Sequence, residues 1–97
     1  MSGTTAGQLV TSGSVQTVYD PAADATGQRA TKIQCWNADG TNSVKVNVAG
    51  LHFAGDYHVI GPGQWTWYGS TNVTLGKVTA LAVAGTPALN WGIIERN

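Results

Sequence analysis

His52, Asp56 and His58 are the nearest approach in this sequence to a ligating or reactive set. Two imidazoles and a carboxylate are donors that zinc or another transition metal accepts. Their spacing fits none of the usual metal-binding patterns, and residues 50–56 read as a loop. Ordinary loop or interface histidines are therefore expected, with no metal. General acid–base catalysis requires a positioned pair of titratable groups. The acids are Asp20, Asp24, Asp39, Asp56 and Glu95. The aspartates fall in expected turns, where Asp is favoured for its local hydrogen bonds. Cys35 alternates with Ile33 on the inward side of an expected strand, so it reads as a small buried hydrophobe rather than a nucleophile. Gly61-Pro62-Gly63 lacks the third glycine, the helix and the Lys-Ser/Thr pair of a phosphate loop. With Pro second and Gly third, Gly61-Pro62-Gly63-Gln64 suits a type II turn. No enzyme activity and no cofactor are expected.

The elements that would carry these residues are strands. Almost everywhere the apolar period is two. Residues 14–19 place Val15, Thr17 and Tyr19 on one face, and residues 31–37 set Ile33 and Cys35 against Lys32, Gln34 and Trp36. Val44, Val46 and Val48 alternate with Lys45 and Asn47, the pattern of a half-buried antiparallel strand. Residues 57–60, 64–68, 77–84 and 89–95 follow, with 72–75 as a possible addition. Asn37-Ala38-Asp39-Gly40 tolerates positive φ, which predicts a hairpin between 33–37 and 44–48. Gly85-Thr86-Pro87 is expected to close a final hairpin. Pro21 and Gly27 leave the alanines between them room for one helical turn at most. Roughly seven or eight short strands predict an all-β domain, either a jelly roll or an immunoglobulin-like sandwich. Residues 14–97 would form it. Residues 1–13, with only Leu9 and Val10 as anchors, read as a flexible arm or a strand completed by something else.

Composition narrows the function classes. Of 97 residues only 10% are charged, five basic and five acidic, against roughly 25% in ordinary soluble proteins. Arg29, Lys32, Lys45, Lys77 and Arg96 cannot make a patch that neutralises many phosphates, so nucleic-acid binding is disfavoured. A formal net charge of zero gives little self-repulsion, which suits a surface covered by neighbours. A single cysteine forms no intrachain disulfide, which favours assembly in a reducing compartment. No apolar run approaches the length of a membrane span, and residues 1–14 do not read as a signal peptide.

The four tryptophans admit three readings: packing in the core, a protein interface, or stacking against sugars. Trp65 and Trp67 share one strand face, with Thr66 and Tyr68 on the other. No convergent Asp, Asn or Arg set beside the rings is visible in the sequence.

The run from Cys35-Trp36-Asn37-Ala38-Asp39-Gly40 through Val44-Lys45-Val46-Asn47-Val48-Ala49-Gly50-Leu51-His52 resembles a pattern in short bacteriophage structural proteins. The Pro-Gly turn at Gly61-Pro62-Gly63-Gln64 and strands like 78–83 and 90–94 continue it, so the likeness spans roughly residues 33–95. The resemblance implies a capsid decoration, or cement, protein: a small all-β domain without an active site that binds the outside of a phage head and ties its subunits together. It implies the major capsid protein as partner, a homo-oligomer with a trimer favoured, assembly in the host cytoplasm and residence on the virion. Leu9, Val10, His52, Phe53, Trp65, Trp67 and Tyr68 are the expected interface residues. A carbohydrate-binding module is the alternative, so a glycan partner stays open; another phage component of the tail, neck or fibre base is a third reading.

Overall fold

The computed structural model describes residues 6–97. Eight strands follow one another: β1 (Ala6–Val10), β2 (Gln16–Tyr19), β3 (Ala30–Asn37), β4 (Val44–Val48), β5 (His58–Ile60), β6 (Trp65–Gly69), β7 (Val78–Ala82) and β8 (Ala88–Arg96). A short 3-10 turn at Pro21–Ala23 is capped by Asp20, whose carboxylate accepts the Ala22 N–H. The strands form two antiparallel four-stranded sheets, ordered β1-β8-β3-β6 and β2-β7-β4-β5. Of the sequence neighbours, only β4 and β5 pair within one sheet; the rest cross from one sheet to the other. This is a jelly-roll sandwich, which resolves the alternatives left open by strand spacing.

Alternation builds the core between the sheets. Val44, Val46 and Val48 from β4 meet Val78 and Ala80 from β7, and Ile33, Cys35, Leu89 and Trp91 close from the other sheet. The Tyr19 and Trp91 rings lie 6.0 Å apart at a tilt of 60°, the tilted packing that aromatic quadrupoles favour.

Several expected connections differ. β3 and β4 do not form a hairpin: β3 pairs with β6 and β8, while β4 pairs with β5 and β7. The Asn37-Ala38-Asp39-Gly40 turn chemistry is instead used at a corner between sheets. Residues 85–87 likewise join β7 to β8 in the opposite sheet. Residues 72–75 are no strand; they hold one bridge, Ser70 to Val73, around Asn72 at φ 73°. In β2 the register shifts between Thr17 and Tyr19, so Val18 and Tyr19 are both buried while Val15 and Thr17 are exposed. A bulge of this kind breaks the simple alternation.

Residues 6–10 of the expected arm are an edge strand, paired along β8 from Ala6–Gly92 to Val10–Ala88. Its completing partner is therefore the same chain. Gly7 lies against the Trp91 indole, where an added Cβ would come within 3.2 Å of Nε1. The remainder of the arm's start, residues 1–5, lies outside the described residues.

Two polar clasps hold the ends of the sandwich. At one end Asn37, fully buried, donates from Nδ2 to the carbonyls of Asn42 (2.8 Å), Ile60 (3.1 Å) and Gly61 (3.2 Å). Its Oδ1 accepts the Asp39 N–H. The 61–64 turn docks on the same residue, since the Asn37 N–H donates to the Gln64 carbonyl. Gly63, at φ 72°, has the left-handed backbone that the type II turn requires. At the other end Arg96 donates from Nη1 to Asp24 (2.6 Å) and to Thr26 Oγ1 (2.9 Å). The Tyr19 hydroxyl donates to the same Asp24 carboxylate. The loop 20–29 is thereby tied to the last strand.

Candidate contact surfaces

The outer face of the β1-β8-β3-β6 sheet carries three of the four tryptophans. Register places Trp36 beside Trp65 on one side and Asn90 on the other, with Gln8 beyond Asn90. The next row sets Trp67 beside Gln34 and Gln34 beside Gly92. Directly opposed residues in antiparallel strands hold their Cβ atoms about 5 Å apart, so these side chains form a continuous surface. Trp36, Trp65 and Trp67 are 46%, 61% and 50% exposed. The fourth, Trp91, is buried in the core. Core packing thus accounts for one tryptophan and leaves three facing out.

A groove of about 440 Å³ runs over this face, lined by Gln34, Trp36, Trp65, Asn90, Trp91 and Gly92. Trp65 also borders a second groove, with His58, Val59 and Gln64, so its indole forms the ridge between the two. Gln8 Nε2 donates to Asn90 Oδ1 at 2.9 Å, which fixes the Asn90 amide and leaves its Nδ2 as a further donor. Lys32 reaches Glu95 at 3.1 Å and lies 5.3 Å from the Trp67 ring centroid. Hydrogen bonds from Thr31 and Lys32 hold the Glu95 carboxyl below its ordinary range.

A second apolar surface lies in the 49–57 loop. Phe53 is 86% exposed, with Leu51 nearby in sequence also exposed. The loop beneath Phe53 is pinned. Asn47 Nδ2 donates to the Phe53 carbonyl (2.8 Å) and the Asp56 carbonyl (2.9 Å), and the Asp56 N–H also donates to the Phe53 carbonyl. His52 Nδ1 accepts the Val48 N–H at 3.0 Å. A large ring is thus held out into solvent by a fixed backbone.

The expected interface set therefore divides. Trp65 and Trp67 lie on the aromatic face, and Val10 lies toward the far edge of the same sheet, 58% exposed. Phe53 belongs to the loop surface. Leu9 packs partly against the core, and Tyr68 is buried, because β6 alternates its side chains between core and solvent. Tyr68 is sandwiched edge-on between the rings of His52 and His58, each with its centroid 5.4 Å away. His58 Nδ1 meets the Tyr68 hydroxyl. The two histidines thus serve Tyr68 and the loop backbone, and among the described residues no three His, Cys, Asp or Glu side chains gather as a metal would require.

Titratable groups elsewhere are structural. Burial pushes the Cys35 thiol up to about 12, so it carries negligible thiolate at neutral pH. Burial, aided by the bond to Asp24, pushes the Tyr19 hydroxyl up to about 12. The Tyr19 and Arg96 bonds hold the Asp24 carboxyl far below its usual value. Burial also raises Tyr68.

No family model and no curated protein matches the chain. Among solved structures it is similar to a de novo designed double-stranded β-helix determined by solution NMR. The TM-score is 0.51 at 12% identity, over 91% of this chain and 95% of the other. At that identity the likeness concerns fold alone, and it agrees with the jelly-roll order of the sheets. No helix among the described residues is long and apolar enough to cross a membrane.

The convergent amides were invisible in the sequence. Gln8 and Asn90 are 82 positions apart and meet only because β1 closes on β8. Asn47 was legible as the outward residue of β4, but its role under Phe53 depends on the loop returning over it.

Proposed function

We propose that the chain is a non-catalytic contact module of the virion, a capsid decoration protein that binds the outer surface of a phage head and stabilises the shell. The observation that carries this reading is Phe53, 86% exposed on a loop pinned by Asn47 and His52. The backbone beneath Phe53 is already ordered by these bonds, so docking costs little further backbone entropy, and a large exposed aromatic is the kind of side chain that anchors interfaces. The low share of charged residues, 10%, and the formal net charge of zero support a surface that neighbours cover. Repetition of modest contacts over a shell raises avidity without strong single sites.

The test is co-sedimentation of the purified chain with bare heads of the phage that encodes it. The chain should pellet with the heads, and Phe53→Ala should weaken binding by roughly 30-fold or more, as for an interface hot spot. A chain that stays in the supernatant, or a Phe53→Ala variant that binds as well as wild type, contradicts the proposal.

A further inference from the structure

We propose that the groove between Trp36, Trp65, Asn90 and Gln34 is a binding site for a neutral pyranose oligosaccharide. The proposal does not rest on attachment to a capsid. Trp36 and Trp65 are directly opposed on adjacent strands, and both are about half exposed or more. Their π faces carry partial negative charge, and the C–H edges of a pyranose ring carry the complementary partial positive charge. Beside Gln34 the sheet has a glycine, Gly92, so a sugar ring can approach the backbone where a side chain would otherwise stand.

The polar groups flanking the rings are amides. An amide presents two N–H donors and a carbonyl acceptor, which matches the mixed donor and acceptor character of vicinal hydroxyls. Gln8 holds Asn90 Oδ1 at 2.9 Å, so the Asn90 Nδ2 group is oriented before a ligand arrives. Gln34 has no side-chain hydrogen-bond partner among the described residues, and it lines the groove. Charge decides the class of sugar. No ionisable side chain lines the groove, and on the same sheet Lys32 is paired with Glu95 at 3.1 Å. A sulfated or uronic-acid chain would find no countercharge, whereas a neutral one has none to desolvate. The volume of about 440 Å³ falls within the range of roughly 300–1,000 Å³ usual for small-ligand sites.

The test is an amide and indole NMR titration of the purified chain with the hexasaccharides of cellulose, starch, β-1,3-glucan, mannan and chitin, and a heparin oligosaccharide as charged control. At least one neutral hexasaccharide should shift the indole N–H signals of Trp36 and Trp65 and the side-chain amide of Asn90. Trp65→Ala and Asn90→Ala should each weaken that binding at least tenfold while the remaining amide spectrum stays folded, and Val83→Ala should leave it unchanged. Absence of shifts with every neutral hexasaccharide at ~10 mM, shifts confined to other residues, or tighter binding of the heparin oligosaccharide overturns the proposal. The titration needs no capsid, so failure of head binding and failure of the sugar site are read separately.

Discussion

The Asn37 amide donates to the Ile60 carbonyl at 3.1 Å, joining the end of β3 in one sheet to the end of β5 in the other. The same nitrogen reaches Asn42 and Gly61, so one buried side chain fixes two of the corners that turn the strands from sheet to sheet. Asn37→Ala leaves those carbonyls short of a donor in a buried setting. The expected cost is about 2–3 kcal/mol, a fall in Tm of roughly 10–20 °C for a domain of this size. Calorimetry of the variant checks it; a shift of a degree or two would mean that water replaces the amide.

Gly69 is the most constrained glycine of the described chain. Its φ is 128°, and an added Cβ would stand 2.0 Å from the Thr31 carbonyl oxygen. Gly69→Ala is expected to destabilise by at least about 3 kcal/mol. Gly13, with nothing within 4 Å of the equivalent position and no left-handed φ, is the control, and Gly13→Ala should stay within about 0.5 kcal/mol of wild type. Urea melts of the pair distinguish a backbone clash from general sensitivity of the fold.

The titration behaviour has opposite signs at the two ends of the pH scale. Asp24 is held below its ordinary value by Tyr19 and Arg96; its contribution is complete above the unfolded value near 4 and is lost as pH falls toward the folded one. Tyr19, Cys35 and Tyr68 are raised by burial. Their contribution is complete below their unfolded values, from about 9 for the thiol to about 10 for the phenols, and is lost as pH rises through the folded values. Denaturant melts from pH 2 to 12 should show stability falling on both flanks, with Asp24→Asn flattening the acid flank. An acid flank unchanged by Asp24→Asn would contradict this assignment.

The Cys35 thiol is fully buried, so its modification by a thiol reagent at neutral pH should be far slower than in the unfolded chain and should accelerate as denaturant opens the sandwich. Rapid stoichiometric labelling of the folded chain would contradict its placement beside Ile33 in the core.

Much of the fold was legible in the sequence because sheets with one buried face impose a period of two. The valines of β4 and the Ile33–Cys35 pair of β3 lie inward as that rule requires. The corners were not legible. Asn-Ala-Asp-Gly is good turn chemistry whether the chain returns to its own sheet or crosses to the other, and only the burial of Asn37 against β5 decides between them. Tyr19 departed from its expected face because a bulge adds a residue that alternation does not count. For the contact surfaces, the shared strand face of Trp65 and Trp67 was readable but its exposure was not, and the Gln8–Asn90 contact depends on pairing between the two ends of the chain.

The most direct measurement of the central claim is the heat stability of phage heads with and without the chain bound, followed by release of packaged DNA. Bare heads should leak at a lower temperature, and adding the purified protein should restore retention in proportion to occupancy, with Phe53→Ala restoring less at equal concentration. Heads that leak at the same temperature whether or not the chain occupies them would contradict a role in holding the shell together.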